Sequence, residues 1–210
     1  MKIPAELAAG YRRFRQERFV EEAERYRALA QGQPARTMII ACADSRVDPA
    51  SIFSAAPGEL FVVRNVAAIV PPFEVSGTYH GTSAAIEFAV VDLGIRNIVV
   101  MGHGMCGGIA AALAAEKRPV GRFIGPWVEL LAGIRDEMLA QMPAADAGKR
   151  QRTLEQMAVR HSLQNLASFD FVGAAIETGR VALHGAWFSI AEGELEWLDW
   201  ETGVFERIGP

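Results

Sequence analysis

Two short apolar runs, Met38-Ile39-Ile40-Ala41 and Ile98-Val99-Val100-Met101, each end abruptly in small and polar residues. Apolar runs that do not alternate belong to strands covered on both faces, as in a parallel sheet. Leu60-Phe61-Val62-Val63, ending in Arg64-Asn65, reads as a second buried strand between them. Helical spacing fills the intervals. Thr78 to Leu93 carries Ala85, Phe88 and Ala89 along one side and closes on Gly94; Ile109 to Glu116 is a short alanine-rich helix. Phe123 to Met142 continues as a helix, followed by a polar bridge, Ala145 to Arg150. A long helix from Arg152 to Ser168 follows, then a shorter one from Phe171 to Thr178, stopped by Gly179. Val181 to Ile190 and Leu195 to Asp199 alternate as a hairpin across Glu192-Gly193, adding antiparallel strands at a sheet edge.

Ahead of the sheet, Pro4 to about Ala30 reads as one or two helices with a stripe of Leu7, Tyr11 and Phe14, ended by Gln31-Gly32-Gln33-Pro34. Such an arm packs either on a partner subunit or on its own core. The expected fold is therefore α/β. It has a mostly parallel central sheet with an antiparallel C-terminal edge, flanking helices and an N-terminal helical arm (residues 1–31) within a single domain of 210 residues.

Half the residues are apolar and 22 % are charged, which argues against disorder. The apolar runs are too short and too interrupted for a bilayer, and a net charge of -4 gives no reason to expect nucleic acid or an anionic membrane. The start, Met1-Lys2-Ile3-Pro4-Ala5-Glu6, lacks a secretory pattern, from which a cytoplasmic location is expected.

The two cysteines are where the chemistry gathers. Cys42 follows the first run; His103 and Cys106 follow the second. By itself His103-x-x-Cys106 reads equally as two packed residues of a strand-to-helix junction. Parallel strands ending side by side would also deliver Cys42 to that point, and two thiolates with an imidazole suit Zn²⁺, leaving a fourth position open. Gly102, Gly104, Gly107 and Gly108 permit close backbone approach there, and the helix that follows Cys106 favours a thiolate. Such a site is formally neutral and acidifies water less than an all-histidine site, so a nearby carboxylate would help to orient a hydroxide. Asp44 is placed for that role, and Arg46 on the same loop can hold it by a bidentate pair away from the metal.

Cys42-Ala43-Asp44-Ser45-Arg46 together with Gly102-His103-Gly104-Met105-Cys106-Gly107-Gly108 resembles the beta-class carbonic anhydrases, from about Tyr26 to Trp200. The resemblance implies one zinc on Cys42, His103 and Cys106, gated and oriented by Asp44 and Arg46, and reversible hydration of CO2 to bicarbonate and a proton by a zinc-bound hydroxide. It implies that Phe61, Val66 and Phe88 line an apolar CO2 pocket. Gln33, reaching across a dimer interface, and the amides near Gly107 and Gly108 would meet product oxygens. A homo-dimer or homo-tetramer is expected, with the arm around the partner. Ala43, Phe88 and Ser162 depart from residues common in the family. Ile39-Ile40-Ala41 stands where some members carry Trp-x-Gly and a closed site, so an open site is expected here. His80, His161 and His184 read as structural or surface residues, with His184 near Trp187; Glu87 reads as an anchor for Arg64 or a backbone feature. The rival readings are a hydrolase of a CO2 analogue such as carbon disulfide, a non-enzymatic zinc- or bicarbonate-binding protein, and a dithiol redox protein.

Overall fold

The computed structural model describes residues 3–76, 80–115 and 120–209. Three short helices, α1 (Ala5–Gln16), α2 (Arg18–Glu21) and α3 (Ala23–Leu29), form the arm. Then come β1 (Thr37–Cys42), α4 (Pro49–Ile52), β2 (Leu60–Asn65), α5 (Gly81–Glu87), β3 (Asn97–His103) and α6 (Gly107–Ala115). The remainder is α7 (Ile124–Val128), α8 (Ala132–Gln141), α9 (Ala147–Ser168), α10 (Asp170–Glu177), β4 (Ala182–Ser189), β5 (Glu194–Leu198) and β6 (Phe205–Arg207).

The strands form one sheet in the order β2-β1-β3-β4-β5-β6. The first four are parallel; β5 and β6 run antiparallel at one edge. Side chains alternate across β1 and β3. Met38, Ile40, Ile98 and Val100 enter a core with Leu163, Leu166 and Phe169, whereas Ile39, Ala41, Val99 and Met101 pack with Leu195 and Trp197 on the other face. Cover on both sides is why these runs are continuously apolar. Ala41 pairs with Met101 in the parallel register, so Cys42 and His103 leave the sheet at nearly the same level. That register places the chemistry at the carboxyl ends of adjacent strands, where open α/β sheets bind ligands.

Several expected boundaries move. β2 is the free edge of the sheet among the described residues, so Val62 is 38 % exposed rather than buried. β4 pairs parallel with β3, and only the strands beyond it supply the antiparallel edge. The helix expected from Thr78 begins, among the described residues, at Gly81 and widens into a π-type turn over Phe88–Asp92 before Gly94. Thr78 itself, and Glu116 at the expected end of the next helix, lie outside the described residues. The helix from Phe123 is interrupted at Glu129–Leu131. The polar bridge before Arg152 is instead helical from Ala147, because the Asp146 carboxylate accepts the Lys149 N–H (2.8 Å) and caps α9. β6 holds only three residues, too few for a periodic signal.

No residue of the arm helices is buried; Tyr11, Phe14, Phe19 and Tyr26 stack on one another instead. At the other extreme, α9 crosses behind β3 and β4 and braces the segment after β2. There Ala67 and Ala68 adopt left-handed φ values of 65° and 54°, each costing on the order of 1–3 kcal/mol. The fully buried Ser162 accepts the Val70 N–H (3.1 Å) and donates to the Ala68 carbonyl (3.4 Å), while Asn165 donates to Val70 O (2.8 Å). Ser162→Ala therefore leaves a buried N–H unpaired and is expected to lower stability by about 1–3 kcal/mol. Urea unfolding midpoints of the two proteins check this, and an unchanged midpoint would remove Ser162 from the account.

Candidate metal centre

Cys42 closes β1, His103 closes β3, and Cys106 precedes α6 after a turn in which Met105 takes φ 56°. Their ligand atoms lie within 4.8 Å of one another, all three residues are buried, and the two sulfurs are 3.9 Å apart. His103 Nδ1 is 2.9 Å from the Gly104 carbonyl and donates to it, which fixes the tautomer and leaves Nε2 as an acceptor. That Nε2 is buried with no hydrogen-bond partner among the described residues. An orphaned imidazole nitrogen facing two sulfurs is a donor set awaiting a cation.

Electrostatics agree. The adjacent Cys106 thiol, above all, holds Cys42 down to about 4, with help from His103 and the amides of Asp44 and Ala67 and against the effect of burial. Cys106 moves the opposite way because its proton is shared with Cys42 and it is buried, although the amides of Gly108 and Ile109 oppose the rise. Burial disfavours charge on His103, yet the nearby Cys42 sulfur and the Gly104 carbonyl favour it, and its pKa is raised on balance. Two thiols 3.9 Å apart do not both ionise readily on their own, and a divalent cation would let both bind as thiolates.

Asp44 stands beside this group with both oxygens held by Arg46. Oδ1 accepts the Arg46 N–H (3.0 Å) and Nε (2.9 Å), and Oδ2 accepts the terminal guanidinium nitrogen at 2.7 Å. These bonds keep the carboxyl well below the usual carboxylate range. Arg46 also donates to the Met105 carbonyl (3.2 Å), tying the loop after β1 to the turn after β3. Arg64 anchors the first loop from below, donating to the carbonyls of Cys42 (2.8 Å) and Asp44 and lying 3.8 Å from Asp48. Glu87, expected as an anchor for Arg64, is exposed on α5.

Gly108 must be glycine: a Cβ there would lie 2.7 Å from Val66 and 2.8 Å from Ala67, so α6 seats directly against the segment after β2. Val66 is thereby brought to the rim. Trp127 fixes its backbone, donating to Val66 O at 2.8 Å. Of the two glycine amides expected to meet product oxygens, that of Gly108 is directed at Cys106. Phe61 and Phe88 meet each other, ring centroids 6.0 Å apart, but Phe61 pairs with Met38, four residues before Cys42 on β1. At about 3.3 Å per residue that is roughly 13 Å from the strand ends. Gln33 is exposed and precedes β1 at the opposite end of the sheet. A single chain therefore unites Cys42, Asp44, Arg46, His103, Cys106, Gly107, Gly108 and Val66, but does not bring in Gln33, Phe61 or Phe88.

The other histidines have local partners: His80 with Ser76 O (3.1 Å), His161 with Asn165 (3.5 Å), and His184 with Asn97 (3.1 Å) and the Trp197 ring, not Trp187. Sequence reasoning passed over Glu155. Its carboxylate is buried on α9, accepting the Cys106 N–H (3.0 Å), Gln151 (3.1 Å) and the Trp187 indole (3.1 Å). Burial pushes its carboxyl up, and these donors oppose the rise. A signal existed: Glu155 shares its helix face with Val159, Ser162 and Leu166, all buried.

A family model described as carbonic anhydrase matches residues 37–195. "Beta carbonic anhydrase 6, mitochondrial" of Arabidopsis thaliana is 32 % identical over 195 residues, covering 91 % of this chain and 66 % of the relative. The chain belongs to the beta-carbonic anhydrase family. A second Arabidopsis beta carbonic anhydrase, number 5, chloroplastic, is 33 % identical over 180 residues, covering 85 % of this chain and 59 % of that relative. The chain thus spans less than two thirds of the length of these two relatives. Among solved structures, the beta-carbonic anhydrase CcaA superposes with a TM-score of 0.89 at 29 % identity, covering 97 % of this chain and 98 % of that one. The relatives' names correct one expectation. They are mitochondrial and chloroplastic proteins, so the cytoplasmic location drawn from the first residues does not stand. Lack of a secretory pattern speaks only to export.

Proposed function

We propose that this beta-carbonic anhydrase catalyses the reversible hydration of CO2 to bicarbonate and a proton, with one Zn²⁺ on Cys42, His103 and Cys106. The observation that carries the reading is the convergence of two sulfurs and an orphaned imidazole nitrogen beside an arginine-held carboxylate. Zinc–sulfur bonds of about 2.3 Å at a tetrahedral angle need sulfurs about 3.8 Å apart, close to the 3.9 Å found. Asp44 is outside the clustered ligand atoms, which favours an open fourth position. When bound, zinc supplies the Lewis acidity that makes water a nucleophile near neutral pH.

The chain's own residues do the rest. A carboxylate has about four acceptor positions; Arg46 takes two on Oδ1 and one on Oδ2, so Oδ2 keeps one for the attacking water. Asp44 aims that water, and Arg46 keeps Asp44 charged and off the metal. Val66 offers apolar surface to CO2, and the Gly107 amide is a donor for a product oxygen. Gln33, Phe61 and Phe88 would complete the pocket of a neighbouring subunit, with the arm (residues 1–31) packed on that neighbour in a homo-dimer or homo-tetramer and the whole of residues 1–210 acting as one domain. No helix among the described residues is long and apolar enough to cross a membrane.

Stopped-flow hydration of CO2 by the zinc-loaded protein tests the proposal. Activity should vanish with chelation and return with zinc. A zinc-loaded protein inert toward CO2 overturns it, and turnover of carbon disulfide in its place would favour the hydrolase reading.

A further inference from the structure

We propose that Glu155 is a positioning residue of the metal centre, holding the Met105–Cys106 peptide from beneath while Arg46 holds it from above. The N–H of that peptide is donated to Glu155 Oε1 (3.0 Å), and its carbonyl accepts Arg46 (3.2 Å). One peptide plane is therefore suspended between a carboxylate and a guanidinium, its positive end toward the anion and its negative end toward the cation. Both contacts are charge-assisted, the stronger class of hydrogen bond.

The peptide follows Met105, whose φ of 56° is unusual for a residue with a side chain. Turning the plane over would rotate ψ of Met105 and φ of Cys106 while leaving that left-handed φ in place. Doing so would put the Met105 carbonyl where the N–H now meets Glu155, withdraw the support under Arg46, and swing Cys106. Glu155 prevents this. Its other contacts, Gln151 on Oε1 and Trp187 on Oε2, are both N–H donors, so the buried carboxylate acts purely as an acceptor. A carboxylate only 2 % exposed is costly to bury, and three donors offset that cost. Glutamine has the same shape but would set an NH2 group against one of the N–H donors.

Two consequences follow: Glu155 fixes the thiolate ligand directly, and it acts on Asp44 through Arg46. The second consequence rests on the proposed hydration activity; the first does not. The test is Glu155→Gln, loaded with Co²⁺ as a spectroscopic substitute, with folding checked by circular dichroism. We expect an altered thiolate-to-cobalt charge-transfer band and metal affinity weaker by about 10–100-fold, the usual loss when a partner behind a metal ligand is removed. kcat should fall by a similar factor with KM nearly unchanged. Combined with Asp44→Asn, the loss in kcat should be smaller than the product of the single losses, because both act through one element.

An unchanged band with affinity within twofold overturns the anchoring. A multiplicative double variant overturns the route through Arg46. Should the wild type fail to hydrate CO2, the proposed activity falls, but band and affinity still decide on the anchor. If Glu155→Gln does not fold, the metal-loaded wild type decides. Its Cys106 amide proton should resonate downfield and exchange slowly, and rapid exchange contradicts the proposal.

Discussion

Asp44→Asn is expected to lower kcat/KM for CO2 hydration by about 100-fold or more while leaving one metal per chain. The amide is nearly isosteric, but it turns one acceptor oxygen into a donor. Arg46 then meets an NH2 group where it now finds Oδ1 or Oδ2, and the acceptor offered to the attacking water is lost. Because Asp44 lies apart from the clustered ligand atoms, metal content should not change. Steady-state stopped-flow kinetics and metal analysis of the same preparation measure both halves. An active Asp44→Asn protein removes Asp44 from the mechanism, and a metal-free one makes it a ligand.

The sign of the pH effect at Asp44 follows from Arg46. The carboxyl is held below its ordinary range in the folded chain. Any stability it contributes is therefore complete above the unfolded value of about 3.9 and is lost as pH falls below that. An inflection in activity near neutral pH would belong to another group.

Cys106→Ala is expected to have the larger effect still, bringing hydration to background and abolishing tight metal binding. Cys106 is buried at the start of α6, with its sulfur 3.9 Å from Cys42 and supported by the amides of Gly108 and Ile109. Alanine removes the sulfur and its lone pairs, leaving one sulfur and one imidazole. Stability should follow occupancy. Metal at a thousandfold its Kd stabilises the folded chain by about 4 kcal/mol, so chelation should lower the urea midpoint of the wild type and barely move that of Cys106→Ala. Equal sensitivity of the two to chelation would contradict this.

What could be read from the chain was whatever depends on local periodicity and on strand ends. The runs around Ile39 and Val99 are apolar at every position because both faces of the sheet are covered, and their ends carry Cys42 and His103 to one level through the parallel register. Asp44 and Arg46 lie two residues apart on one loop, so their pairing is also local. Features set by distant packing were harder to read. Val62 is half-exposed because β2 has no outer neighbour among the described residues, a property of sheet order rather than of the strand. The start of α9 was hidden by the polar stretch 145–150, although Asp146 is an ordinary cap. Gln151 falls in that hidden start, and a charged residue in a long helix ordinarily faces solvent, so the carboxylate behind Cys106 is legible only from the buried face it shares. Gln33, Phe61 and Phe88 lie far from the metal-ligand atoms of their own chain, and periodicity along a segment does not report how far it lies from a site.

Metal analysis of the purified protein and three single variants decides whether these three residues form one zinc site. One zinc per wild-type chain, bound tightly enough to survive dialysis, is expected, with its loss from Cys42→Ala, His103→Ala and Cys106→Ala alike. A folded wild type that binds no zinc when the metal is supplied, or any one of these variants retaining zinc with wild-type affinity, would contradict it.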